Sequence, residues 1–156
     1  MANNLVLDGR LVKSEAYVGA GATLTVSAEK HAGKVIGLDT AAASTVTLPQ
    51  ATGSGNRYKF VVTTLATASS HVVKVGNSTD VMEGIAFGYR TDSGNATLGF
   101  GTSATSDTVT LNRTTTGSVQ LGEWIEIYDQ ASGVFTVFVI GCATGAAYAT
   151  PFSAMV

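Results

Sequence analysis

The stretch EWIEIYDQASGVFTVFVI, Glu123 to Ile140, decides the fold class. It reads as two strands, Glu123–Asp129 and Val134–Ile140, joined by QASG, where Gly133 can take the positive φ of a tight reversal. Period-two alternation puts Ile125 and Ile127 on one face with Phe135, Val137 and Val139, which we expect in the core. The opposite face carries Trp124, Glu126 and Tyr128 beside Val134, Thr136, Phe138 and Ile140, too apolar for a face left to water. Both faces are therefore expected to be covered, one by the domain and the other by a neighbouring molecule.

Toward the C-terminus the chain stays uncharged: no Asp, Glu, Lys or Arg occurs from Gln130 to Val156. A free monomer keeps a charged rim around such a segment, so its absence points to an assembly component. The last part, 141–156, loses strand alternation and is rich in small residues, and Pro151 favours an extended backbone at Thr150. It is expected to be an extended arm that docks on a neighbour instead of completing its own core, with Tyr148, Phe152 and Met155 as anchors. The expected contacts with a second copy or another partner in the assembly are thus Trp124, Val134, Phe138, Ile140, Tyr148, Pro151, Phe152 and Met155.

Toward the N-terminus, period-two runs recur at Ala22–Ser27, Lys34–Asp39, Ser44–Leu48, Arg57–Thr63, His71–Val75, Asp80–Phe87, Thr97–Phe100, Asp107–Asn112 and Ser118–Leu121. No segment holds a 3.6-residue apolar period, so helices are expected to be few or absent. The class is all-β: an antiparallel β-sandwich, or a jelly-roll or barrel-like domain, with extended terminal arms. A second hairpin is expected where STVTLP, QATGSGN and RYKFVVT follow one another, with Val46 and Leu48 opposite Tyr58, Phe60 and Val62. The β domain should span 16–140, and 88–106 should be an exposed loop or flap. Residues 1–15 form either an arm that adds LVLDGRLV to the sheet edge of another subunit or an ordinary first strand.

Length and composition agree. The 156 residues suit one domain, and 13% charged with 45% hydrophobic residues marks a folded, charge-poor chain. A net charge of −2 with scattered Lys and Arg excludes a basic nucleic-acid footprint. Cys142 is the only cysteine and has no intrachain disulfide partner. MANNLVLDGR lacks the pattern of a secretory signal, so synthesis in a cytoplasm is expected. Gly133–Ala149 is too short and too polar for a membrane span.

Catalytic chemistry finds little to use. His31 and His71 have no metal-ligand spacing and read as polar residues at strand ends. The GSG at 53–55 and the SGN at 93–95 sit in turn contexts, not in a nucleophile elbow or a phosphate loop. Asp92, Asn95 and Asp107 lack the dense acidic spacing of a calcium loop. Tyr89, Trp124 and Tyr148 would serve a sugar-binding surface as stacking platforms, though aromatics at such positions are more often core or interface residues. No catalytic, cofactor or metal residue is expected.

In order, HAGKVIGLDTAAASTVTLPQATGSGNRYKFVV, HVVKVGNSTDVMEGIAF, DTVTLNRTTTGS, GEWIEIYDQASGVFTVFVIG and ATPFSA span His31 to Ser153. This series resembles the small β-rich virion proteins of tailed bacteriophages, in particular head decoration (cement) proteins. The resemblance implies a non-enzymatic protein on the outer surface of an icosahedral head, bound to the major capsid protein and commonly homotrimeric. It supplies no functional residue for transfer. The alternative is a tail-fibre or surface-adhesin module that binds host glycans, which the β architecture alone does not separate from the first reading. A polysaccharide hydrolase, a third class, would need paired carboxylates that the sequence does not display.

Overall fold

The computed structural model describes residues 5–7 and 10–12 by their backbone, and 17–91, 97–144 and 148–156 in full. Short β-branched runs separated by Gly, Ser and Ala links become the strands β1 (Leu5–Leu7), β2 (Arg10–Val12), β3 (Tyr17–Gly19), β4 (Thr23–Thr25), β5 (Val35–Leu38), β6 (Thr45–Thr47), β7 (Arg57–Val62), β8 (His71–Lys74), β9 (Val81–Arg90), β10 (Thr97–Gly101), β11 (Thr108–Leu111), β12 (Trp124–Ala131), β13 (Val134–Ala143) and β14 (Phe152–Ser153). One helical turn, α1 (Ala28–His31), interrupts them. A seven-stranded sheet in the order β10-β9-β13-β12-β7-β5-β3 faces a five-stranded sheet in the order β14-β11-β8-β6-β4, and among the described residues β1 and β2 form a separate two-stranded sheet.

From β3 to β8 the chain alternates between the sheets, so β3, β5 and β7 lie side by side in the large one and β4, β6 and β8 in the small one. Neighbours within each set run parallel, with Val18 beside Ile36, Ile36 beside Phe60, Leu24 beside Val46 and Val46 beside Val73. A parallel pair needs a crossover, and here each crossover is a strand of the opposite sheet, as in a short β-coil. The β12–β13 hairpin then enters the large sheet between β7 and β9, antiparallel to β7 through β12 and parallel to β9 through β13.

The all-β expectation holds, but the sheets are mixed instead of antiparallel, and the chain closes no barrel. The hairpin expected from STVTLP and RYKFVVT does not form: β6 belongs to the small sheet and β7 to the large one. Asp129, at the end of β12, explains this. Its carboxylate accepts the backbone N–H groups of Thr52, Gly53 and Ser54 and the hydroxyls of Thr52 and Ser54, at 2.5–3.1 Å. The link between β6 and β7 is thus stretched across the end of the sandwich and cannot close as a two-strand turn. Gly53 and Gly55 do take positive φ in it, at 76° and 71°.

The β12–β13 hairpin forms as expected, with Ile125 opposite Val139, Ile127 opposite Val137 and Gly133 at φ 79°. Its inward residues join Ile36, Leu38, Phe60, Val46, Val73 and Leu111 between the sheets. Each such fully buried side chain contributes about 1.5–3 kcal/mol of transfer free energy. Val46 and Leu48 do meet the region of Tyr58, Phe60 and Val62, but across the sandwich as members of one core.

The tail departs from the arm expected for 141–156. Residues 141–143 continue β13, and β14 pairs antiparallel with β11, Val109 beside Phe152. Thr110 N–H donates to the Pro151 carbonyl and Asp107 N–H to that of Ser153. Pro151 is buried, and Tyr148 and Phe152 are 3% and 8% exposed. This corrects the assignment of Tyr148, Pro151 and Phe152 as intermolecular contacts: they close the end of their own sandwich. The reason is complementarity. Gly88 and Gly141 face each other in the β9–β13 ladder and leave a slot, which the Tyr148 ring fills. Of the expected loop 88–106, residues up to Arg90 belong to β9 and Thr97–Gly101 form β10, while 102–106 are a loop with a turn; 92–96 lie outside the described residues, as do 1–4, 8–9 and 13–15 of the expected N-terminal arm.

Candidate interaction surface

The outer faces of the two sheets differ in chemistry. On the small sheet, Thr23, Thr45, Val72 and Thr110 form one cross-strand row and Thr25, Thr47, Lys74 and Thr108 the next. Thr23 and Thr25 are exposed and Thr45, Thr47 and Thr110 half-buried, so hydroxyls and few charges line this face, while Thr108 is buried and donates to the Asp107 carboxylate at 2.7 Å. Threonine suits such a face because its β-branch favours the strand while its oxygen hydrogen-bonds.

On the large sheet the outward positions nearest β10 are Ile85, Phe87 and Tyr89 on β9, with Phe138 and Ile140 on β13. The parallel register sets Phe138 beside Ile85 and Ile140 beside Phe87. All five are 37–47% exposed, which makes a contiguous apolar strip and not scattered single residues. Its flank on β10 is mostly glycine: Gly101 pairs with Ile85 and Gly99 with Phe87, so these two have no side chain opposite them, while Thr97 stands beside Tyr89. At its upper end Tyr89 lies beside the buried Cys142 in the ladder, and this neighbour pushes the Tyr89 phenol up.

Beyond β13 the same face turns polar. Arg57 forms an ion pair with Glu126 and lies 5.2 Å over the Tyr128 ring, while the Lys59 ammonium lies 5.0 Å over Trp124. Trp124 and Tyr128 are therefore half-buried beneath cations of their own chain. The contact residues expected from the sequence thus divide. Phe138 and Ile140 are open and adjacent, Val134 is half-buried further down β13, Trp124 is capped by Lys59, and Met155 is exposed at the tail. Sequence reading missed Ile85 and Phe87 and considered Tyr89 only as a stacking platform for sugar. Their alternation in VMEGIAFGYR was visible, but only the pairing of β9 with β13 puts them beside Phe138 and Ile140.

Apart from Glu126, which pairs with Arg57, several buried ionisable groups are bound to backbone. Glu123 accepts N–H groups from Ser118, Val119, Gln120 and Cys142 at 2.6–3.1 Å; burial pushes it up against these four bonds. His71 accepts the Ser44 N–H at Nδ1, 3.0 Å, and places Nε2 2.8 Å from the Thr64 carbonyl; burial lowers its pKa. His31 Nδ1 accepts the Ser27 N–H at 2.9 Å. Asp107 accepts N–H groups from Met155 and Val156 at 2.8 and 3.1 Å, which ties down the chain end. Among the described residues, no group of three His, Cys, Asp or Glu lies close enough to hold a metal ion. A surface cleft of about 360 Å³ beside Thr67, Ser69, Asn112, Arg113 and Thr144 is polar and lacks the apolar floor of a typical small-molecule site. No helix among the described residues is long and apolar enough to cross a membrane. Comparison with family models, curated proteins and solved structures finds no match to this chain.

Proposed function

We propose that this chain is a structural protein of a tailed-bacteriophage virion, a decoration or cement protein that binds the outer surface of the head as a homotrimer and stabilises contacts between capsomers. The observation that carries the reading is the apolar strip of Ile85, Phe87, Tyr89, Phe138 and Ile140 on one sheet face. Such a surface suits lasting association with protein. The order of sequence elements from His31 to Ser153 supplies the virion context. The buried Glu123, Asp107 and His71, each held by backbone groups, fit a rigid, non-enzymatic part.

The mechanism is thermodynamic. A protein that binds the assembled shell and not separated capsomers shifts the equilibrium toward the intact head. Three copies joined in a ring rebind locally before all are lost, so modest contacts add up to a long residence. The test is the ratio of this protein to the major capsid protein in purified particles, together with rebinding of the purified protein to stripped heads. A ratio near that of one trimer per threefold position supports the reading. Absence from heads, or a few copies at the tail, overturns it in favour of a fibre or adhesin module.

A further inference from the structure

We propose that the apolar strip of one copy is covered by the N-terminal hairpin, β1–β2, of a second copy. This rests on the reading of the strip as an association surface and names its occupant. Three observations lead to it.

First, the hairpin is unsupported. β1 pairs with β2, Leu5 beside Val12, Val6 beside Leu11 and Leu7 beside Arg10, and neither strand joins the larger sheets. A two-stranded hairpin is marginal at best in water without a third strand or a packed face. Five of its six paired residues are apolar. A further surface packed on such a pair would stabilise it.

Second, the strip has the matching dimensions. It is two strands wide and runs from Ile85 to Tyr89, about 13 Å at the rise of a strand, while the hairpin is two strands wide and about 10 Å long. Five large side chains, each about two fifths exposed, leave on the order of 400 Å² of apolar surface, which a hairpin of that footprint covers. The strip stays open in the presence of its own chain.

Third, the charges agree. Arg10 is the one charged residue among the paired hairpin positions, and exposed Glu83 continues the outward row of β9 just below Ile85. Because donor hairpin and acceptor strip are different surfaces, the contact is heterologous; such contacts form a ring where the rotation closes and an open filament where it does not. A ring of three is the arrangement that the proposed function needs.

The test is disulfide trapping in solution with the full chain, without particles. Cys142 is buried, so the parent protein serves as a blank. Leu11→Cys and Phe87→Cys proteins, one isotopically labelled, are mixed and oxidised mildly. A third protein, Thr47→Cys on the outer face of the small sheet, gives the collisional background, and circular dichroism checks that each variant folds. We expect the Leu11→Cys and Phe87→Cys chains to link to each other at least tenfold above that background. Mixed linkage at background level overturns the proposal. So does preferential linkage of Phe87→Cys with itself, which would mean strip packed on strip, or intrachain closure of the double variant. Particle binding is scored separately: trapped rings that do not bind heads would sink the cement reading and leave the hairpin contact standing, and the converse result would do the opposite.

Discussion

The Tyr148 ring occupies the space that a side chain at Gly88 would need: a Cβ built at Gly88 would fall inside the ring, and one at Gly141 would fall 2.7 Å from its hydroxyl oxygen. Two glycines paired across the β9–β13 ladder thus make room for one residue of the tail, and the tail becomes part of the domain. Tyr148 also stacks at a tilt on Phe100, with ring centroids 5.7 Å apart, and its burial pushes its phenol well above the usual range.

Gly88→Ala should therefore expel Tyr148 and lower stability by about 1–3 kcal/mol, the cost of overpacking, while Tyr148→Ala should cost about 3–5 kcal/mol through the cavity it leaves. Urea denaturation of both variants is the check. If Gly88→Ala matched the parent, the slot would not be tight.

Deletion of 148–156 should destabilise the isolated chain, because Phe152 leaves the core and β11 loses a neighbour. A milder probe is Asp107→Asn, which weakens the clamp on Met155 and Val156. Burial raises the Asp107 pKa, but the hydrogen bonds from Thr108, Met155 and Val156 outweigh it and hold the group below the usual carboxylate range. Its contribution is thus present above the unfolded value of about 3.9 and is lost as pH falls through the folded value. Hydrogen exchange at Met155 and Val156 should quicken in Asp107→Asn at pH 7, and in the parent protein only under strong acid.

His71 acts in a different window. Burial lowers its pKa in the fold, so the neutral ring is the native form. Its stabilisation is complete above the unfolded value of about 6.5 and falls as pH drops below that, by up to about 1.4 kcal/mol per pH unit until the folded value is reached. Urea midpoints at pH 7.5, 6 and 5 should decline in the parent protein. In His71→Gln the overall stability should be lower and this decline shallower; an equal slope would assign the titration elsewhere.

Phe138→Asp and Phe87→Ser should abolish association while the fold survives, since both side chains are 40% or more exposed. Light scattering is expected to give monomer for the variants and an oligomer for the parent, with melting temperatures of the monomeric state within a few degrees of each other. An unchanged oligomer would place the contact on another face.

The residue pattern alone determined that the chain is all-β and that Glu123–Ile140 folds as a hairpin with Ile125, Ile127, Phe135, Val137 and Val139 inward. Local alternation and a permissive turn glycine are sufficient for that. It also exposed Phe138 and Ile140 as residues of an outer face, because a period of two assigns faces without knowledge of the partner strand. Only the tertiary structure decided which strands are neighbours. STVTLP and RYKFVVT alternate just as a hairpin would, yet Asp129, 77 residues from Thr52, holds their link across the sandwich and sends β6 and β7 to opposite sheets. The same holds for the tail, where the lack of alternation in 144–150 concealed a tyrosine shaped to a two-glycine slot made by β9 and β13, and for the strip, whose two halves lie 53 residues apart at Ile85 and Phe138. Side-chain period is a property of one strand, whereas pairing depends on buried hydrogen bonds and shape between segments far apart in the chain.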